Sequence, residues 1–438
     1  MNALRRFCFA FVCAVPLVGI SAPVPAAPPG MIHIPGGDYK PLYAKETKPR
    51  RTPPYFLNIT PVTNGEFLAF VKEHPEWQRS KVTPEMADLN YLRHWKGDLE
   101  IGPESANQKD APVTYVSWFA ARAYCAARGQ RLPTQDEWEF AARADATRMD
   151  ATADQAFLRK LLEWYGKPAT SILPPAHSAE ANVYGLRGLH GLVWEWVHDF
   201  NSTMIVGDSR GDDSLERKLF CGAASLLASD VSNYAAFMRY AVRSSLKGTY
   251  CGSSLGFRTA RPLQEDAPAA AAAAGPAGSP YELRSRWLMQ DGREVTLESL
   301  KGKVRVVTMG FTSCPYACPR IVGDIQRIEA ALGADADKAG FVFISIDPAR
   351  DTPDKMTAFA TERKLAAGRW TFLSGSPEGV RDLAVAMNFK YQQVEQDFAH
   401  SNLIAVLDAK GNIVHREEAL DANIKPAVAA IRKLLANP

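Results

Sequence analysis

A stretch of seventeen residues, Gln264 to Pro280 (QEDAPAAAAAAGPAGSP), divides this chain of 438 residues. It carries no large apolar side chain, so it cannot bury enough surface to offset the entropy of ordering itself. It reads as an Ala/Pro/Gly linker between parts that fold separately, and the chain is too long for one ordinary domain. The expected organisation is a leader at 1–26, a first domain at 27–263, the linker at 264–280 and a second domain at 281–438. With 46% hydrophobic and 23% charged residues the balance is globular, which excludes a wholly disordered chain and a polytopic membrane protein. The net charge of +3, from 51 basic and 48 acidic residues, gives no electrostatic case for a nucleic-acid partner.

Arg5 and Arg6 precede an apolar run from Phe7 to Ile20, and small residues follow to Val24-Pro25-Ala26. This is the pattern of a cleaved secretory signal peptide. The run falls short of the roughly 20 apolar residues that span a bilayer; an uncleaved anchor is the alternative. Cys8 and Cys13 leave with the leader, and no later stretch reaches transmembrane length. The mature protein is expected in an oxidising compartment, the periplasm of a Gram-negative cell.

In the second domain, Val304 to Phe311 is β-branched and apolar and reads as a buried strand. Thr312-Ser313-Cys314-Pro315-Tyr316-Ala317-Cys318-Pro319-Arg320 follows at once, then a helical pattern from Ile321 to Leu332. Cysteines four apart at a helix start lie on one face. Their sulfurs can meet as a disulfide or share a metal ion, and the helix N-terminus favours the thiolate that either chemistry needs. Phe341 to Ile346 and Trp370 to Leu373 read as further strands, with Asp351 or Thr352 capping a helix from Pro353. Ile404 to Asp408 and Asn412 to His415 read as a β-hairpin. This alternation predicts an α/β, thioredoxin-like domain. His400, 82 residues beyond Cys318, falls in the loop before that hairpin; it is either a solvated loop residue or a third ligand. Two thiolates and an imidazole form a soft set suited to copper, whereas zinc would call for a fourth ligand or a water.

Three motifs carry a resemblance over 282–438: Cys314-Pro315-Tyr316-Ala317-Cys318-Pro319, Ser345-Ile346-Asp347-Pro348-Ala349-Arg350-Asp351-Thr352-Pro353, and His400-Ser401 before a strand. They are similar, in the same order, to the Sco1/SenC copper proteins of respiratory oxidase assembly. The resemblance implies copper held by Cys314, Cys318 and His400, with Asp347 supporting the site from behind. It implies delivery of copper to a recipient protein, or reduction of the recipient's cysteines.

The first domain carries Met31-Ile32-His33-Ile34-Pro35-Gly36-Gly37, Asn58 to Phe67, Pro112 to Trp118, Arg131-Leu132-Pro133-Thr134-Gln135-Asp136-Glu137-Trp138-Glu139, Gly191-Leu192-Val193-Trp194-Glu195-Trp196 and Leu255-Gly256-Phe257-Arg258. This series resembles the formylglycine-generating (sulfatase-modifying factor) family, an α+β fold related to C-type lectins. Helices are expected over Asn64 to Lys72 and Trp118 to Ala127, and Thr134 with Glu137 opens a third as a capping box. The family's copper-holding cysteine pair should fall between Gly222 and Arg239, where the sequence has no cysteine. Leu192 replaces the family's calcium-site asparagine, although Glu195 remains. The resemblance therefore implies the fold without the oxidase activity. It lies closer to an inactive-looking branch associated with denitrification accessory proteins, on Cys221-Gly222-Ala223-Ala224 and Phe237-Met238-Arg239-Tyr240. Cys221 and Cys251 are expected to form a structural disulfide in an exported chain, with an atypical thiol pair as the alternative. Cys125 is expected in the core, and His190 and His198 in packing or surface hydrogen bonding.

The expected function is a periplasmic copper carrier serving a periplasmic or membrane-bound cuproprotein. That recipient is a terminal oxidase or a denitrification reductase, and the first domain is a docking module. The alternatives are a thiol–disulfide oxidoreductase built on Cys314 and Cys318, and a formylglycine-type thiol oxidase built on Cys221 and Cys251.

Overall fold

The computed structural model describes residues 25–42, 49–102, 108–167, 172–202, 234–263, 279–394 and 397–436. Most of the expected leader, most of the linker and Cys221 lie outside the described residues. No helix among the described residues is long and apolar enough to cross a membrane.

Short elements build the first domain. Strands β1 (Met31–Ile34), β2 (Gly37–Tyr39), β3 (Arg50–Thr52) and β4 (Tyr55–Asn58) lead into helix α1 (Asn64–Glu73). Helices α2 (Trp118–Ala126), α3 (Gln135–Ala142) and α4 (Gln155–Tyr165) follow, then β5 (Trp194–Trp196), α5 (Tyr234–Ser245), β6 (Leu255–Phe257) and β7 (Ala260–Pro262). Helices α1 and α2 form within a residue of their expected ends, and α3 opens at the expected capping box. Thr63 with Glu66 and Thr134 with Glu137 close reciprocal capping boxes on α1 and α3, which satisfies backbone donors a helix start otherwise leaves open. Sheet content is small: β1, β4 and β7 form one antiparallel sheet, β2 pairs with β3, and β5 lies parallel to β6. With so few ladder bonds, buried rings and ion pairs tie the loops together. Arg258 and Glu195 are wholly buried; Nε and Nη2 of Arg258 donate to Glu195 at 2.8 Å, and Trp138 Nε1 donates to the same carboxylate at 2.7 Å. A second buried knot joins Glu139 to Arg239 and Arg243 at 2.7 and 2.6 Å.

In the second domain one mixed sheet runs through the core. Its strands are β8 (Arg286–Met289), β9 (Glu294–Thr296), β10 (Val304–Gly310), β11 (Ala339–Ser345) and β12 (Trp370–Gly375), with β15 (Ile404–Leu407) and β16 (Ile413–Glu417). They lie in the order β16-β15-β10-β11-β12-β8-β9. β10, β11 and β12 are parallel neighbours, and β11 is buried along its whole length, as its unbroken apolar run requires. Helices α6 (Ala317–Leu332), α7 (Pro353–Glu362), α8 (Pro377–Ala386) and α9 (Lys425–Ala436) connect or cover these strands. Thr352, rather than Asp351, caps α7, its side chain accepting from Lys355 N–H. Between α8 and β15 stands a separate two-stranded ribbon, β13 (Tyr391–Val394) against β14 (Asp397–His400).

The two domains touch. Arg122 on α2 pairs with Asp382 on α8. Val385 of α8 packs into the apolar core of the first domain, and a β-carbon at Gly248 would stand 2.4 Å from its Cγ1.

Candidate metal centre

Gly310 ends β10, and the chain turns through Phe311 to Tyr316 before α6 begins at Ala317. Cys314 thus lies in the turn, where its N–H donates to Phe311 O at 3.2 Å, and Cys318 is the second residue of the helix. Both are buried free thiols. His400 corrects the sequence reading. It lies in no loop: it is the last residue of β14, paired with Tyr391, and only 2% exposed. The polar, weakly alternating sequences on either side of it gave no strand signal.

One ligand atom from each of Cys314, Cys318 and His400 lies within 4.8 Å of the others, with Cys318 Sγ and His400 Nε2 3.6 Å apart. Nδ1 of His400 is 2.8 Å from Ser401 O. A carbonyl only accepts, so Nδ1 carries the proton and Nε2 keeps its lone pair toward the sulfurs. Phe311 meets the imidazole edge-on at 5.8 Å and Phe389 stacks on it at 5.7 Å. The donation of the Cys318 thiol lowers Cys314 to about 3, and the backbone N–H groups of Cys318 and Tyr316 add to this. Burial pushes Cys318 up. The two thiols are thus shifted in opposite directions, Cys314 toward the thiolate and Cys318 toward the thiol. The donor set is two sulfurs and one nitrogen with no carboxylate oxygen. It fits a soft ion such as Cu(I) and leaves a tetrahedral zinc one protein ligand short.

Asp347 lies close by, but its carboxylate is taken by Arg350, whose guanidinium stands over the Phe311 ring at 5.7 Å. It reaches toward His400 through that aromatic contact and through Arg350, which also lies 3.6 Å from Asp397 at the start of β14. The carboxylate that shapes the cysteine turn is Asp351, which the sequence reading weighed only as a helix cap. It accepts from Thr312 N–H at 3.1 Å and from Ser345 Oγ at 2.6 Å, and also from the Thr312 hydroxyl. Burial raises its pKa. An Asp two residues before a Pro, beside a strand-end Ser, was the available signal.

In the first domain Cys251 is a buried free thiol donating to Thr249 O at 3.3 Å, with its pKa raised by burial. Its expected partner Cys221 lies outside the described residues. Cys125 is fully buried in α2. His190 sits against Trp138 at 5.8 Å, with Nε2 2.9 Å from Ala142 O; His198 lies 6.3 Å from Trp118. Burial lowers the first to about 3 and the second well below its ordinary value, so both are neutral packing groups. Glu195, the remaining residue of the family's calcium motif, is spent on Arg258 and Trp138.

These features define a fusion of a loop-rich α+β domain with a thioredoxin-like domain bearing a Cys–Cys–His cluster. The chain belongs to the family described as sulfatase-modifying factor enzyme 1-like, whose model matches residues 20–263, and a SCO1/SenC model matches residues 270–436. In the first domain it is 31% identical over 218 residues to mouse "Inactive C-alpha-formylglycine-generating enzyme 2", covering 39% of this chain and 69% of that protein. In the second it is 32% identical over 101 residues to the Bacillus subtilis SCO1 protein homolog, covering 23% of this chain. The match spans 52% of that homolog, about half its length. The solved structure of Bradyrhizobium japonicum ScoI with copper bound is 30% identical, with a TM-score of 0.31, covering 34% of this chain and 96% of that one.

Proposed function

We propose that the second domain binds one copper ion through Cys314, Cys318 and His400. It delivers that ion to, or reduces the copper-site cysteines of, a respiratory cuproenzyme in the periplasm, a terminal oxidase or a denitrification reductase. The observation that carries this reading is the convergence of two buried sulfurs and a buried imidazole nitrogen within 4.8 Å, with Phe311 and Phe389 packed on the imidazole. Copper here is cargo: both sulfurs bind it when reduced, and a Cys314–Cys318 disulfide withdraws them. The leader at 1–26, read from sequence, supports export, and the first domain serves as the docking module. The test is Cu(I) titration of the reduced full chain, with Cys314→Ser and His400→Ala alongside. One ion per chain and weakened binding in both variants is expected; unchanged stoichiometry and affinity in both would end the reading.

A thiol–disulfide reductase is the second reading, favoured by the lowered pKa of Cys314, since the thiolate is the attacking form. A reduction potential too high to reduce a recipient's cysteines would remove it. Oxidase chemistry in the first domain has weaker support, because burial opposes thiolate formation at Cys251.

A further inference from the structure

The two sulfurs and the imidazole stand on separate supports. Cys314 and Cys318 ride on the junction of β10 and α6, within the seven-stranded sheet. His400 rides on the β13–β14 ribbon, which joins no larger sheet among the described residues, and an isolated two-stranded ribbon is marginal in water. It is held from outside: in its own domain Phe389 and Tyr391 are buried in the core, Phe398 meets Phe311 at 5.6 Å and Arg350 lies 3.6 Å from Asp397, and a second set of contacts comes from the first domain.

The chain entering the ribbon is gripped carbonyl by carbonyl. Arg416 donates to Met387 O and to Asn388 O. The next carbonyl, Phe389 O, accepts from Asn201 Nδ2 at 3.2 Å, a residue of the first domain. The Asn201 amide is oriented in turn by Arg381, which donates to its Oδ1 at 3.1 Å and to Ser202 Oγ and lies over the Tyr391 ring at 4.4 Å. Lys390 sends its Nζ to Ser244 O of the first domain at 2.8 Å. The Lys390 backbone exchanges bonds with Ser401, N–H to Oγ at 3.0 Å and O from N–H at 2.8 Å. Phe389 is the ring stacked on His400, and Ser401 O is the acceptor that fixes its tautomer. From Asn201 to the imidazole the path runs through Phe389 alone, and from Ser244 it runs through Lys390 and Ser401.

We propose that the first domain is a clamp that positions His400: Asn201 and the Ser244 carbonyl hold Phe389 and Lys390, and these hold the imidazole against the cysteine pair. Asn201 and Lys390 are positioning residues; they act through His400 and touch no copper. The consequence for copper rests on the function proposed above, whereas the mechanical claim does not.

The test uses the full chain with Asn201→Ala and Lys390→Met, each checked for a cooperative melt. In the copper-free protein, amide hydrogen exchange over residues 389–401 is expected to speed up in both variants while residues 304–332 stay as in the parent. Cu(I) affinity by chelator competition is expected to fall about tenfold or more, as for other groups that orient a metal-bound histidine, with stoichiometry kept at one. In a His400→Ala background the same substitutions are expected to change affinity no further, which general damage to the fold would not produce. Parent-like exchange in both variants overturns the clamp, as does an equal loss of affinity in the His400→Ala background. If His400→Ala itself leaves copper binding unchanged, the copper reading fails, and the exchange result alone decides the clamp.

Discussion

Gly310 is the residue at which the metal centre can be disturbed without removing a ligand. It ends β10, and a β-carbon built on it would stand 2.6 Å from Cys318 Sγ and 3.3 Å from Phe343 Cζ. Carbon contacts settle at about 3.5–4.0 Å, so Gly310→Ala forces the sulfur away by roughly 1 Å. Cys318 is fully buried on the first turn of α6, with no solvent to turn into. Overpacking of this kind costs about 1–3 kcal/mol, a fall in Tm of roughly 2–12 °C for a domain of this size. Copper binding must return Sγ to its place beside His400 Nε2, so the same amount is lost from affinity, about 5- to 140-fold at 1.4 kcal/mol per tenfold. Gly323→Ala, on the same helix with no atom within 4 Å of the new methyl, is the control; it is expected to stabilise by about 1 kcal/mol and leave copper alone. Calorimetry and Cu(I) competition measure both. Parent-like affinity in Gly310→Ala would show that the sulfur does not sit where copper binds.

Two further outcomes are expected. Cys314 has its pKa lowered to about 3 by the donated Cys318 thiol, so its thiolate persists as pH falls well below the ordinary thiol range. Iodoacetamide is then expected to modify Cys314 at pH 6, and Cys318→Ala to slow this sharply; a rate that drops away below pH 8 in the parent would contradict it. In the first domain, Glu195→Gln leaves the wholly buried Arg258 charge short of its partner and is expected to cost about 3–5 kcal/mol, read as a lowered first melting transition. A parent protein whose melting rises with added calcium would show instead that Glu195 serves an ion.

Local spacing settled much of this protein. The apolar poverty of 264–280 reads as a boundary because a segment without large side chains has nothing to bury, and the two family models meet near it, at 20–263 and 270–436. The Thr134–Glu137 spacing puts a capping box on α3 because both bonds close within one turn. The run from Val304 makes a strand entering the sheet, and three residues between the cysteines put one sulfur in the turn before α6 and the other on its first turn. Each of these interactions is made within a few residues, so the order of side chains carries it.

What only the tertiary structure decided involves groups far apart along the chain. His400 is a strand residue because Tyr391 lies opposite it, and its own neighbours Asp397, Phe398 and Ala399 carry no alternation that would announce a strand. Asp351, rather than Asp347, holds the cysteine turn because β11 delivers Ser345 beside Thr312 of the neighbouring strand's exit. Glu195 binds Arg258 and Trp138, partners 63 and 57 residues away, and Asn201 meets Phe389 across 188 residues. Burial gives these contacts their strength, since hydrogen bonds and ion pairs count for most where water is excluded; which groups meet there is set by how the sheets, helices and domains close around one another.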